Sequence, residues 1–317
     1  HVGGLVDLEN RLIRTIGEPN IRFREDPVRM LRAIKFAARL DFKIEQNTYD
    51  ALIRHRRELQ KCAPPRLLEE FYRLVRGGAA VKSMDLLEKT GILRVLSPSM
   101  ADRFQITNIN QQSEPPPTLP SSPEEEVWEA TWADSPESLV YLPSTDKRER
   151  AIDLLHCFDN AVRNGVKISN ALILAGVTAP FIAGDLESQN MRPMDASALI
   201  QGLLQPIVKE LRVARRDSER ARQIILAQRR LAPSRRRRSR PMALMRREYF
   251  EESLAFYELT SQSLGRDLND IEYWRTLTQR GLRDNRAMVD DVRPRKRRRR
   301  KRGGRRRVEP SSHSEEP

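Results

Sequence analysis

Apolar residues recur every three or four positions along much of the chain, a spacing that predicts a largely helical fold. In the clearest case, four apolar residues fall on one side of a single helix: Val28, Leu31, Ile34 and Ala38. Asp26 and Pro27 stand just before this stripe, and we predict that they form an N-cap followed by a proline in the first helical position.

The same periodicity predicts further helices at about 46–60, 64–78 and 79–89, which makes a helical unit of about 80 residues. The first seventeen residues differ, because a Gly-Gly turn is followed by a short apolar run from Leu12 to Ile16. We predict a strand there, and we expect its partner strands to lie upstream of residue 1.

The pattern changes at residues 101–140, where Pro, Ser and Glu dominate, so we predict a flexible linker or insertion. Helical periodicity returns at about 146 and continues to about 285. Residues 291–317 are so rich in Arg and Lys that we predict a disordered basic tail. The predicted fold class is therefore mainly α.

The net charge of +14 is concentrated at the C-terminus, since residues 293–317 hold twelve Lys or Arg and three Glu. Such a segment favours polyanions, namely RNA, DNA or acidic lipid. Cys62 and Cys157 are the only cysteines in 317 residues, too few for a disulfide framework, so we expect a reducing, cytoplasmic environment. No run of eighteen apolar residues occurs.

Three motifs of phosphate and metal chemistry are missing from the sequence. It has no G-x-x-x-x-G-K-[ST] phosphate loop, no Cys/His set with zinc spacing and no Asp-x-Asp pair. Nucleotidyl transfer commonly uses paired carboxylates to hold two divalent metals. We therefore assign no catalytic residue and no metal ligand to this chain.

Asp26 and Arg29 stand three apart, so both fall on one face of the first helical turn. A carboxylate accepts hydrogen bonds and a guanidinium donates them, which matches the Watson–Crick edge of adenine or cytosine but not that of uracil or guanine. Arg32 lies one turn further and could steady the base or contact a phosphate. Spacing alone leaves a second interpretation open, in which Asp26 is a helix cap and the arginines are solvated.

Two segments in tandem resemble the family of class II tRNA nucleotidyltransferases and bacterial poly(A) polymerases. "GGLVDLENRLIRTIG" is similar to the G-G-x-x-D-L segment that ends the family's head domain, and "RFREDPVRMLRAIKFAARL" is similar to the E-D-x-x-R motif of its neck. The family's motif templates the incoming base, a role that falls here on Asp26 and Arg29, with Arg32 following. "APPRLLEEFYRLVRGGAAVKSMDLLEKTGILRVLSP" looks like the poly(A) polymerase branch.

The resemblance implies a domain order: the end of a mixed α/β head at 1–20, a helical neck at 21–100, the linker at 101–140, a helical body at 141–290 and the tail at 291–317. The family's G-G-x-x-R-D and D-x-D segments would precede residue 1, so we expect this chain to lack the catalytic head and to be inactive by itself. The intact enzyme would transfer AMP from ATP to RNA 3′ ends, with Mg²⁺ held by that head.

The neck, the body and the tail would bind RNA, and we expect a monomer. An acidic membrane surface is a further candidate partner for the tail. The alternatives are a CCA-adding enzyme and, in another class, a non-catalytic RNA-binding protein. The predicted RNA-binding residues are cations of a basic loop and of the tail: Arg235, Arg236, Arg237, Arg238, Arg295, Lys296, Arg297, Arg298, Arg299, Arg300, Lys301 and Arg302. A solvated loop is the alternative interpretation of the loop arginines.

Overall fold

The computed structural model describes residues 3–104, 146–183, 192–232 and 241–290, with the backbone alone for 281–290. The described chain is mainly α, as the apolar periodicity predicts. By internal contacts the chain divides into residues 1–274 and residues 275–317. The predicted linker 101–140 lies outside the described residues except for 101–104, which complete a helix.

Short helices and one two-stranded sheet make up the first described range. The helices are α1 (Gly4–Glu9), α2 (Pro19–Glu25), α3 (Val28–Leu40), α4 (Gln46–His55), α5 (Pro64–Val75), α6 (Ala80–Lys89), α7 (Ile92–Leu96) and α8 (Pro98–Phe104), with a 3-10 helix at Arg56–Lys61 after α4. All four members of the predicted stripe on α3 are buried.

The strand predicted between Leu12 and Ile16 is present but shorter, and its partner is not upstream. β1 (Leu12–Ile13) pairs in parallel with β2 (Lys43–Ile44), which follows α3 directly. The partner seen in the structure is therefore downstream of this strand, whereas we expected partners upstream of residue 1. A strand of two residues has no alternating pattern to detect, so the sequence offered no signal for β2.

The later ranges continue the helical pattern. They contain α9 (Lys147–Arg163), α10 (Asn170–Gly176), α11 (Pro193–Glu210), α12 (Arg215–Leu231), α13 (Pro241–Met245), α14 (Phe250–Ser263) and α15 (Asn269–Asp290), with a 3-10 helix at Ala179–Phe181. Among the described residues, no helix combines the length and the apolarity needed to cross a membrane.

One continuous apolar core runs through residues 1–274, from Phe23 at its start to Leu259 at its end. A buried carboxylate links an earlier helix of this core, α6, to a later one, α9. The carboxylate of Asp159 on α9 accepts hydrogen bonds from the backbone N–H groups of Ala80 and Val81, at 2.6 and 3.2 Å. It thereby satisfies two free donors at the start of α6. The helices that carry the candidate site, α2, α3 and α5, contribute residues to this same core.

Candidate nucleotide and RNA site

Asp26 occupies the junction between α2 and α3. Its backbone is extended, with φ −144° and ψ 91°, and α3 begins two residues later at Val28. The Asp26 carbonyl oxygen accepts a hydrogen bond from the backbone N–H of Arg29 at 3.0 Å. The sharp turn between the two helices therefore places the Asp26 side chain beside the first turn of α3.

The carboxylate of Asp26 contacts α5 rather than the start of α3. Nη2 of Arg66 donates to both carboxylate oxygens, at 3.2 and 3.4 Å. The Asp26 side chain is 24% exposed and that of Arg66 is 54% exposed. The prediction that Asp26 caps α3 was wrong, because the residue before α3 is Pro27 and no side chain caps that helix.

Arg29 lies on the first turn of α3 and is exposed to solvent. Among the described residues, no hydrogen bond or ion pair is recorded for its guanidinium. Its five N–H donors are therefore available at the junction that also carries Asp26. The two residues of the predicted base-reading pair lie at the same helix junction.

Arg32 lies one turn further along α3 and belongs to a charge cluster around one buried glutamate. Glu70 of α5 is 4% exposed, and it contacts three cations: Nε of Arg32 at 3.4 Å, Nζ of Lys35 at 2.8 Å and Nη1 of Arg73 at 3.3 Å. Because the Arg32 side chain is 46% exposed, it contacts Glu70 and also faces solvent.

Opposing effects act on the pKa of Glu70. Burial by itself would raise the pKa, but the Lys35 hydrogen bond and the charges of Lys35, Arg32 and Arg73 outweigh it. The net result is a lowered pKa, so Glu70 is ionised at neutral pH. The ionised carboxylate fixes Arg32 and Lys35 against α5.

Cys62 lies against the same junction. Burial raises the pKa of its thiol, the charge of Arg66 opposes that shift, and the charge of Asp26 adds to it. A thiol with a raised pKa stays protonated at neutral pH and is a poor nucleophile. This environment favours a packing role for Cys62.

Two partners of this site were not identified from the sequence. Arg66 pairs with Asp26, and Arg73 contacts both Glu69 and Glu70. Nothing in a sequence links Arg66 to a residue forty positions away. A signal for Glu70 did exist, because it interrupts the apolar face of α5 between Leu67 and Leu74.

The predicted RNA-binding cations cannot be placed. Residues 233–240, which include Arg235 to Arg238, and residues 291–317, which include Arg295 to Arg302, lie outside the described residues. Within the described ranges, no group of three or more His, Cys, Asp or Glu side chains could hold a metal ion.

Two family models match the chain. Residues 41–104 match the probable RNA- and SrmB-binding site of polymerase A, and residues 189–307 match the arginine-rich C-terminus of polymerase A. Together they cover more than half of the 317 residues.

The curated relatives match a shorter part of the chain than the two family models do. Poly(A) polymerase I of Salmonella typhi is 38% identical over 104 residues, which are 33% of this chain and 22% of that protein. The CCA-adding enzyme of Pediococcus pentosaceus is 37% identical over 125 residues, which are 39% of this chain and 31% of that protein. The matched part thus spans between a fifth and a third of these relatives.

A solved structure, the Bacillus stearothermophilus CCA-adding enzyme in complex with CTP, is 18% identical, with a TM-score of 0.45 over 88% of this chain and 52% of that chain. At that score the likeness has no bearing on function. The matched family models and the curated relatives belong to one class of enzymes, the nucleotidyltransferases that act on nucleic acids. Within that class, the chain belongs to the family of bacterial poly(A) polymerases and tRNA nucleotidyltransferases.

Proposed function

We propose that this chain selects the nucleotide base and holds the RNA in an enzyme that adds AMP from ATP to RNA 3′ ends. The observation that carries the proposal is the position of two residues at the α2–α3 junction. There Arg29 is exposed, its backbone N–H donates to the carbonyl oxygen of Asp26, and the Asp26 carboxylate is contacted by Arg66.

The pair suits two of the four bases. Adenine offers an N6 amino donor beside the N1 acceptor, and cytosine offers N4 beside N3, whereas uracil and guanine offer the reverse order. Asp26 retains acceptor capacity after binding Arg66, since an ionised carboxylate has about four lone-pair sites. A matched pair of this kind discriminates between bases by about 1–3 kcal/mol.

The choice between adenine and cytosine rests on the rest of the chain. CCA-adding enzymes are as similar to this chain as poly(A) polymerases are, at 37% and 38% identity. The arginine-rich C-terminus of polymerase A, however, matches residues 189–307. This match favours polyadenylation, and CCA addition is the second candidate.

The roles proposed for this chain are base selection and RNA binding. Because the sequence contains no Asp-x-Asp pair, no step of AMP transfer is assigned to its residues. Its proposed ligands are ATP and RNA. With ATP, Mg²⁺ and an RNA carrying a free 3′ end, we expect the chain alone to give no extension.

Nucleotide titrations test base selection directly. The chain is labelled with ¹⁵N and titrated separately with ATP, CTP, GTP and UTP, while the side-chain Nε–H signal of Arg29 and the backbone signals of α3 are followed. We expect ATP and CTP to shift these signals at lower concentrations than UTP and GTP. Arg29→Met is expected to abolish the difference. Equal titrations by all four nucleotides would overturn the assignment of base selection to this pair.

A further inference from the structure

The solvent face of α3 has an unusual composition. Of its thirteen residues, only five are exposed: Arg29, Arg32, Phe36, Arg39 and Leu40. On a helix of 3.6 residues per turn these five positions fall within an arc of about 100°. The exposed strip of the helix thus consists of three arginines and two apolar residues.

Phe36 lies in the middle of this strip. Its side chain is 46% exposed, and Nζ of the neighbouring Lys35 lies 5.3 Å from the ring centroid. With a rise of 1.5 Å per residue, Arg32 is about 6 Å from Phe36 along the axis, and Arg39 is about 4.5 Å away on the other side. An arginine residue therefore lies about one helical turn from Phe36 in each direction along α3.

A single exposed apolar residue on a protein surface is ordinary. The neighbours of Phe36 make it informative, because neither Arg29 nor Arg39 has an ion-pair partner recorded among the described residues. The strip contains no acidic residue. Its net positive charge complements a polyanion, and an aromatic ring among cations suits the bases of that polyanion.

We propose that Phe36 is a stacking platform for one base of a single-stranded RNA that lies along α3, with Arg32 and Arg39 contacting the flanking phosphates. Every base has a π-face, so this contact holds RNA without reading its sequence. Arg29 and Asp26, at the start of the same strip, read the incoming base. The inference rests on the proposed function, because the RNA held by Phe36 would be the RNA end that lies next to the incoming base.

The helix provides a matched control for the aromatic ring. Leu40 has the same exposure as Phe36, 46%, and lies on the same strip of α3. Phe36→Leu removes the ring but keeps an apolar side chain, whereas Leu40→Ala removes an equally exposed apolar side chain that has no π-face. Phe36→Trp keeps a stacking surface.

The experiment measures the affinity of the chain for a fluorescein-labelled twelve-nucleotide oligo(A) by anisotropy. Stacking is expected to account for roughly a 5- to 10-fold loss of affinity in Phe36→Leu, at the lower end of known base–aromatic contacts. Leu40→Ala and Phe36→Trp should stay within about twofold of wild type. A second oligonucleotide carries 2-aminopurine near its 3′ end, and the quenching of its fluorescence by the wild-type chain should be lost in Phe36→Leu.

The outcomes separate this inference from the function on which it rests. If the wild-type chain does not bind oligo(A), both fail. If it binds but Phe36→Leu has wild-type affinity and quenching, only the stacking role is overturned. If Phe36→Leu lowers the melting temperature while RNA affinity is unchanged, the ring packs against protein, which also overturns the proposal.

Discussion

The carboxylate of Asp26 lies 3.2 Å from Nη2 of Arg66, a residue forty positions further along the chain. This ion pair joins the α2–α3 junction to the first turn of α5. Because Nη2 of Arg66 contacts both oxygens of the carboxylate, the ion pair favours this orientation of the Asp26 side chain. An acceptor that is already oriented is suited to reading a hydrogen-bond pattern, since its geometry is set before the base arrives.

Asp26→Ala tests whether that acceptor selects the base. We expect the variant to lose the preference for ATP and CTP over UTP and GTP, a change of roughly 5- to 150-fold, because the amino group of the base loses its acceptor. Its affinity for oligo(A) should change by less than about twofold. The measurements are the four nucleotide titrations and one RNA titration.

A purely structural role for Asp26 gives a different result. In that case Asp26→Ala would lower the melting temperature and leave base preference intact. Arg66→Met separates the two roles further, because it removes the ion pair but keeps the carboxylate. We expect Arg66→Met to weaken the base preference and not to abolish it.

Glu70→Gln should destabilise the chain. The amide cannot compensate three nearby cations, so we expect a loss of about 1–3 kcal/mol in the free energy of unfolding at pH 7. The control is Glu69→Gln on the same helix. Glu69 is 49% exposed and, among the described residues, its one ion pair is with Arg73, so its loss should cost at most about 0.5 kcal/mol. Urea unfolding of the three chains measures both values.

The contribution of Glu70 should depend on pH. Its folded-state pKa lies below the ordinary value of 4.5, so its stabilising effect is present above about pH 4.5 and is lost as the pH falls through the folded pKa. The stability difference between wild type and Glu70→Gln should therefore shrink between pH 5 and pH 3. A difference that stays constant over this range would contradict the lowered pKa.

How much could be predicted from the sequence depends on how far apart along the chain the interacting residues stand. The apolar stripe of α3 is a local pattern, and all four of its members are buried as predicted. The Asp26–Arg66 pair and the β1–β2 pair join positions that are far apart, and no local spacing encodes them. Glu70 lies between these cases, since a charge within an apolar stripe indicates a buried partner without identifying it.

Gly176→Ala and Gly202→Ala form a test of core packing. A Cβ at Gly176, the last residue of α10, would lie 2.9 Å from Cε2 and Cζ of the buried Phe158. We expect a loss of about 1–3 kcal/mol in unfolding free energy. Gly202 lies within α11 with nothing within 4 Å of the same position, so Ala there should gain up to about 1 kcal/mol. Equal effects of the two substitutions would contradict the close Phe158 contact.

Deleting residues 293–317 tests the proposed role of the basic C-terminal segment in RNA binding. The deletion removes twelve Lys or Arg. Each phosphate that a cation neutralises on a single strand contributes about −0.7 to the slope of log K against log salt. If four to six of the twelve engage at once, the slope should become shallower by roughly 3–4 units. RNA affinity is measured across a salt series for both chains.

A shorter deletion serves as the control for that experiment. Residues 308–317 contain no Lys or Arg and all three glutamates of the segment. Their removal should leave the salt slope unchanged within error, and affinity should rise slightly because three negative charges no longer compete with the phosphates. Parallel slopes for the full chain and the longer deletion would mean that residues 293–317 do not contact RNA. Their charge would then act on another polyanion, and binding to vesicles with anionic lipid would be the next measurement.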